Sequence, residues 1–251
     1  MATLHDVRLL FVICCLVGVI VTAIVVPIVV SNSGDGSSGS DAESESSAVC
    51  TNRTQSQGGW GTSCSGNNPG CYRDAHFCEC FPLGVAIGCG PVGQWLKFTS
   101  SLAVDNFLPK GGSPSAITVR AKNPLSGDTG TDGSFAGNLL SAKLNVGFDA
   151  CDPNFSSCAS NTSTLCFKSN TLPSGAFHCN GYTVAQVITA SDYIIGGCGA
   201  VMCTMVAPPK LCNLSPSTLN ACLDVFNNNF VDGNTNLGKI GVCGNECSKS
   251  T

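Results

Sequence analysis

Cysteine content constrains the fold of this chain more than any other feature. Of its 18 cysteines, 16 lie beyond residue 49. In a reducing cytosol so many thiols would be reactive unless they bound metal, whereas in an oxidising compartment an even set can pair completely. We therefore predict an exported domain held together by disulfides, although the spacing does not reveal the pairing. The candidates are Cys50, Cys64, Cys71, Cys78, Cys80, Cys89, Cys151, Cys158, Cys166, Cys179, Cys198, Cys203, Cys212, Cys222, Cys243 and Cys247.

A charge-free apolar segment from Leu9 to Val30 indicates how the chain is exported. At a helical rise of about 1.5 Å per residue it spans roughly 33 Å, enough to cross a hydrocarbon core about 30 Å thick. A removable signal peptide has a shorter apolar core, so we predict an uncleaved membrane anchor; cleavage near residues 31–33 is the alternative and would release a secreted protein. Arg8 precedes the segment and residues 31–47 lack Lys and Arg, which predicts a cytoplasmic N-terminus and an extracellular C-terminal part at a surface membrane.

Composition divides the chain into four parts. Residues 1–8 form a short cytoplasmic N-terminus, 9–30 the transmembrane anchor, 31–48 a flexible Gly/Ser/acidic stalk and 49–251 one cysteine-rich extracellular domain. Charged residues make up only 11% of the chain and its formal net charge is −4. Because no basic field is present, nucleic acid is not expected as a partner. The sequence leaves self-assembly open.

Four N-glycosylation sequons support the same compartment. They are Asn52-Arg-Thr, Asn154-Phe-Ser, Asn161-Thr-Ser and Asn213-Leu-Ser. Such triplets also arise by chance, and they gain weight here because they accompany an export signal and an even set of cysteines. Glycans would solubilise a weakly charged surface.

The extracellular part is predicted to have an α+β fold that is rich in helices and loops, with a minor sheet. Residues 50–93 contain many Gly, Asn and Pro and are predicted to be mainly loop. Short strands are predicted within 81–88, 95–99 and 116–121. Helices are predicted at 101–108, 134–146, 183–195 and from Pro216 to Phe230, on the basis of their caps and their apolar periodicity. Gly147 is expected to end the second of these helices.

Few residues offer catalytic chemistry. His76 and His178 are the two histidines beyond the apolar segment, and the chain has neither a Gly-x-Ser-x-Gly nor a His-Glu-x-x-His motif. Cys78 and Cys80 flank Glu79 close to His76, but structural zinc sites use longer Cys spacings, so we favour disulfides there. A pair of carboxylates acting on glycosides stays open, and the acids that could supply it are Asp74, Glu79, Asp105, Asp149, Asp192 and Asp224.

No cofactor is predicted, and calcium is the ion that the sequence leaves open. Asp128-Thr-Gly-Thr-Asp132-Gly133 partly matches a calcium loop, but its twelfth position is Leu139 rather than an acid. Two further oxygen clusters have the same weakness because Asp and Asn are also common in turns. These clusters are Asp149, Asp152 and Asn154, and Asp232, Asn234 and Asn236.

Trp60 is the candidate binding residue. It lies in a Gly-rich stretch, which suggests an exposed ring that stacks on a sugar or on a partner side chain. Trp95 is better explained by core packing.

The order of several motifs resembles an uncharacterised secreted and cell-surface domain family of bacterial and protist proteins. The motifs are QGGWGTSCSGNNPGCYRDAHF, FPLGVAIGC, FTSSLAVDNFLPKGGSPSAIT, FAGNLLSAKLNVGFDACDPNF, TVAQVITASDYIIGGC and STLNACLDVFNNNFVDG, and they run from about residue 55 to 243. The resemblance implies an extracellular module. It carries no activity, ligand or site residue to this chain.

The sequence thus predicts a type II single-pass surface protein whose ectodomain has a structural, adhesive or recognition role, with an extracellular protein or glycan as ligand. The alternative is an extracellular hydrolase that uses paired carboxylates or a His site.

Overall fold

The structure is a computed structural model that describes residues 50–131, 133–159 and 161–243. Its helices are α1 (Gln57–Trp60), α2 (Pro69–Cys80), α3 (Ser101–Phe107), α4 (Ser134–Cys151), α5 (Val184–Ile195), α6 (Gly199–Cys203), α7 (Pro209–Cys212) and α8 (Pro216–Asn229). Its strands are β1 (Val85–Gly88), β2 (Trp95–Phe98), β3 (Arg120–Lys122), β4 (Cys166–Phe167) and β5 (Ile240–Gly241). The fold is mixed α+β, with small sheets, as the sequence predicts.

Helix α4 is the centre of the core, since it packs against α8, α5 and β1 and is buried along most of its length. It continues beyond Gly147, so the prediction that this glycine ends the helix is wrong. The Phe81 ring lies directly over Gly147, and a Cβ atom at this position would overlap it. Gly147 therefore serves close packing rather than helix termination.

Short strands form the predicted three-stranded sheet beside α4. β1 pairs antiparallel with β2, with Val85 opposite Phe98, and β2 pairs parallel with β3, with Trp95 opposite Arg120. β3 covers only the end of the predicted segment 116–121. A second sheet pairs β4 with β5.

Local capping signals explain where α5 and α8 begin. Thr183 accepts a hydrogen bond from the Gln186 N–H, and the Gln186 side chain accepts one from the Thr183 N–H, which completes a capping box. Ser215 caps α8 and Pro216 occupies its first turn. Both starts agree with the predictions.

Helix α2 lies where the sequence predicts mainly loop. Asn68 caps it by accepting a hydrogen bond from the Cys71 N–H, and Pro69 occupies its first turn. Arg73 and Phe77 point into the core and are almost fully buried. The prediction for 50–93 is therefore wrong over these 12 residues.

Seven disulfides cross-link the described chain, five of them between positions 43 or more residues apart. They join Cys50 to Cys158, Cys64 to Cys71, Cys80 to Cys151, Cys89 to Cys198, Cys166 to Cys243, Cys179 to Cys222 and Cys203 to Cys212. The prediction of a disulfide-rich domain is confirmed.

Cys78, also predicted to be bridged, is instead exposed and unpaired among the described residues. It lies two positions before Cys80, which bonds to Cys151, so the two side chains point to opposite sides of α2. Cys247 lies outside the described residues.

The predicted anchor from Leu9 to Val30 and the stalk at 31–48 also lie outside the described residues. Within the part of the chain that the structure describes, no helix is both long and apolar enough to cross a bilayer.

Candidate functional site

Several of the exposed apolar side chains lie close together in sequence on one segment. We call residues 199–207 the apolar loop; there Val201 is 81% exposed, Met205 80% and Val206 55%. The sequence from 196 to 209 contains no charged residue. Contiguous exposed apolar surface of this kind is typical of sites that bind a partner.

Disulfides hold the apolar loop in place. Cys203, in its middle, is fully buried and bonded to Cys212, and Cys198, just before it, is bonded to Cys89. Because Cys203 takes the inward position, its neighbours on the other side of α6 face water. The bridges thus keep Val201 and Met205 exposed at a fixed place on the surface.

A cavity of about 540 Å³ lies near α7, and we call it the groove. Its lining residues are Phe177, His178, Asn180, Tyr182, Lys210, Asn213 and Leu214. The Phe177 ring is 54% exposed there. The groove combines an exposed aromatic ring with amide, imidazole and ammonium groups, which suits a ligand that has both apolar faces and hydrogen-bonding groups.

His178 lines this groove, whereas His76 belongs to a different cluster. The Tyr72 hydroxyl donates to Asp152 Oδ2 at 2.6 Å, and His76 Nδ1 lies 3.7 Å from the same oxygen. The Tyr72 and His76 rings stack at 4.3 Å between centroids, and the Arg53 guanidinium lies 5.1 Å from the Tyr72 ring centroid. The structure therefore places an imidazole near a carboxylate, at a distance longer than a hydrogen bond, and the same carboxylate oxygen already accepts from Tyr72.

The pKa values of Tyr72 and Asp152 in this cluster are shifted in opposite directions. Burial, reinforced by the hydrogen bond to Asp152, raises the pKa of the Tyr72 hydroxyl. Burial alone would raise the pKa of Asp152, but hydrogen bonds from Tyr72 and Asn154 outweigh it and lower that pKa. Tyr72 thus stays a neutral donor and Asp152 a charged acceptor at neutral pH.

Trp60 is fully buried, so the prediction of an exposed stacking surface is wrong. Its ring packs against Phe148 at 5.0 Å and stacks on Phe155 at 6.1 Å between centroids. Its indole Nε1 donates to Asn145 Oδ1 at 3.0 Å. Trp60 is a core residue, and the partner that explains it lies 85 positions away in sequence.

The candidate carboxylates do not assemble into one site. Asp74 and Asp105 both lie next to the buried Arg73 guanidinium, at 2.9 and 3.6 Å. Burial alone would raise the pKa of Asp74, but hydrogen bonds from Ser101 and Arg73 lower it, so it is a poor proton donor at neutral pH. The remaining acids are dispersed: Asp192 contacts Lys143, Asp149 accepts from the Thr162 N–H, Asp224 bonds Asn228, and Glu79 lies at the exposed end of α2.

The buried ammonium group of Lys110 is hydrogen-bonded at the segment that resembles a calcium loop. Lys110 is only 7% exposed, and its Nζ donates to the Ser126 carbonyl and to Thr131 Oγ1. Asp128 Oδ2 accepts from the Leu125 N–H instead of pointing to a shared centre. Asp132 lies outside the described residues, and among those described no group of three or more His, Cys, Asp or Glu side chains could hold a metal.

The other two oxygen clusters are held by hydrogen bonds within the protein. Asp152 Oδ1 accepts from the backbone and side-chain N–H groups of Asn154. Asp232 accepts from Gln55 Nε2 at 2.6 Å, and Asn236 accepts from the Gly238 N–H. Asn234 lines a separate cavity of about 170 Å³. The Asp152 and Asn236 contacts are of the kind that stabilises a turn, whereas the Gln55–Asp232 bond joins distant parts of the chain.

The four sequons differ in their surroundings. Asn154 and Asn213 are exposed, and Asn161 is half-buried and caps a short 3-10 turn. Asn52 has a buried Oδ1, and Thr54 of its sequon is fully buried. The exposed asparagines Asn154 and Asn213 are therefore the more accessible acceptors in the folded domain.

The fold and surfaces together define a disulfide-rich α+β domain that carries an exposed apolar loop and a mixed groove. No family model matches the chain, and no curated protein or solved structure matches it. The similarity of motif order described above therefore remains a resemblance, and the assignment of function depends on the geometry.

Proposed function

We propose that this chain is a type II single-pass surface protein whose extracellular domain has a structural, adhesive or recognition role. The observation that supports this most is the set of seven disulfides, which ties both ends of the described domain to its core. Such a set persists only in an oxidising compartment. The anchor from Leu9 to Val30 supplies the attachment to the membrane.

Topology can be tested on intact cells that express the full chain with a C-terminal tag. A non-permeant biotin reagent should label lysines of the domain, and alkaline extraction should leave the chain in the membrane. Release into the medium would support cleavage of the N-terminal segment instead. A chain that is neither labelled nor released would contradict the proposed export.

The apolar loop is the surface we propose for contact with an extracellular protein partner. Its exposed Val and Met side chains would each contribute about 1.5–3 kcal/mol when fully buried, so a V201S/M205S variant should bind at least about a hundredfold more weakly. The matched control is L83S, since Leu83 is also 81% exposed but lies just before β1. Retained binding by V201S/M205S in a pull-down of labelled surface proteins would exclude the loop as the contact.

The hydrolase alternative has one specific observation in its favour, namely the His76 imidazole beside the Asp152 carboxylate. A general base contributes about 10²–10⁴ in rate, so H76A should lose that factor against a panel of esters, glycosides and peptides. H178A tests the other histidine that this alternative allows, which lies in the groove. A panel without turnover would eliminate this alternative, and equal turnover in H76A and wild type would exclude His76 as the base.

A further inference from the structure

We propose that the groove binds the protein's own N-linked glycan, attached at Asn213. This inference depends on the proposed extracellular location, since the modification takes place during export. It goes beyond that location by assigning the groove one occupant, the proximal sugars of a glycan from the same chain.

The position of Asn213 is the first observation. Asn213 is exposed and is itself a lining residue of the groove, with Leu214 and Lys210 beside it. Its Nδ2 donates to the Pro209 carbonyl at 3.0 Å. An amide nitrogen has two hydrogens, so one can keep this bond while the other is replaced by sugar.

The covalent step is a transfer from a polyprenyl-diphosphate-linked saccharide donor. The bond between Nδ2 of Asn213 and C1 of the first sugar forms, and the bond between C1 and the diphosphate oxygen breaks. The polyprenyl diphosphate leaves with the electron pair of that bond, and the proton lost from Nδ2 passes to solvent. The remaining N–H continues to donate to Pro209, which directs the first sugar along the groove.

The lining of the groove is the second observation. Phe177 presents an apolar ring that can pack against the C–H face of a pyranose, and Tyr182 lines the same cavity. Asn180 and His178 offer hydrogen-bond donors and acceptors for hydroxyl and acetamido groups. A saccharide has both kinds of surface, whereas a purely apolar ligand would leave the polar groups unpaired.

Rigidity of both walls is the third observation. Phe177 and His178 lie in the 3-10 turn Ser174–Cys179, which the Cys179–Cys222 bridge fixes to α8. Lys210 lies in α7, which the Cys203–Cys212 bridge fixes to α6. The groove is therefore formed before a sugar occupies it, so docking requires little further ordering of the protein.

The other sequons do not offer this combination. Asn154 is exposed, but its Nδ2 donates to the Asp152 carboxylate, and it does not line the groove. Asn154 therefore serves as the internal comparison.

The test uses the full chain made in a eukaryotic secretory host that leaves high-mannose glycans. Glycopeptide mass spectrometry first establishes which asparagines are modified. The native protein is then treated with an endoglycosidase, and release at Asn213 and at Asn154 is followed with time. We expect release at Asn213 to be about fivefold slower, since the docked sugar must first leave an aromatic contact, and we expect equal rates after denaturation.

Two variants isolate the groove. F177A removes the exposed ring without opening the core, and it should raise the rate at Asn213 to that at Asn154. L83A removes an apolar side chain that is even more exposed, 81% against 54% for Phe177, and lies far along the sequence, so it should leave the slow release unchanged. Equal rates at the two sites in native wild type, or no effect of F177A, would overturn the inference.

The outcomes also separate this inference from the proposed function. If Asn154 is modified and Asn213 is bare, the inference fails while the proposed location stands. If every sequon is bare and the chain remains in the cytosol, both fail. A bare Asn213 combined with F177A-sensitive binding of free diacetylchitobiose would overturn the inference in favour of a soluble saccharide.

Discussion

The buried side-chain amide of Asn145 in α4 links residues 55–60 to α4 and α8. Its Oδ1 accepts from the Gln55 N–H at 2.8 Å and from Trp60 Nε1 at 3.0 Å. Its Nδ2 donates to the Gln55 carbonyl and to Asn227 Oδ1, each at 3.0 Å. Since Asn145 and Asn227 are fully buried, water does not compete for these bonds in the native state.

N145A should therefore destabilise the domain strongly. The substitution leaves two donors and two acceptors without their partner, and each buried orphan costs about 1–3 kcal/mol. A water molecule that enters the polar space recovers part of this cost. We expect a net loss of about 4–6 kcal/mol, a large share of the roughly 5–15 kcal/mol of a typical domain.

The assay is urea unfolding of the chain from Ala48 onward with its disulfides intact, followed by circular dichroism and by the fluorescence of Trp60 and Trp95. N67A is the matched control because Asn67 is exposed, and it should change the free energy of unfolding by less than about 0.5 kcal/mol. A loss below about 1 kcal/mol in N145A would show that the amide network does not stabilise the fold as argued.

Two further predictions concern packing and pH. G147A should lower the free energy of unfolding by about 1–3 kcal/mol because its Cβ atom overlaps Phe81, although helix propensity alone predicts a gain of about 1 kcal/mol. In a double-mutant cycle, F81L should remove most of that loss. A G147A variant more stable than wild type would refute the packing argument. The pKa of Asp152 in the folded state lies below the unfolded value of about 3.9. Its contribution to the free energy of unfolding is therefore present above about pH 4 and is lost as pH falls through the folded pKa. D152N should flatten that part of a free-energy profile measured from about pH 7 to 2, and a profile parallel to wild type would contradict the role given to Asp152.

Elements with local signals could be predicted from the sequence, and elements set by distant contacts could not. Thr183 with Gln186 and Ser215 with Pro216 are capping patterns that involve only neighbouring residues, and both helices start there. Asn68 followed by Pro69 is the same kind of signal at the start of α2. The Gly, Asn and Pro content of the surrounding stretch nevertheless predicts a loop.

Surfaces were harder to predict than helices because exposure depends on partners far away in sequence. Trp60 follows two glycines, yet Asn145 and Phe148 of α4 bury it. The groove depends on segments near 180 and 210 whose positions are fixed by disulfides. Sequence spacing does not give the pairing of those cysteines, so the groove could not be derived before the structure.

Seven specific disulfides hold the described domain together, and a peptide map tests this pairing most directly. The native full chain is alkylated without reduction, digested, and analysed by mass spectrometry. The account predicts seven linked peptide pairs, including Cys89 with Cys198 and Cys179 with Cys222, and alkylation of Cys78. Alkylation of any of the fourteen bridged cysteines, or a different pairing among them, would contradict it.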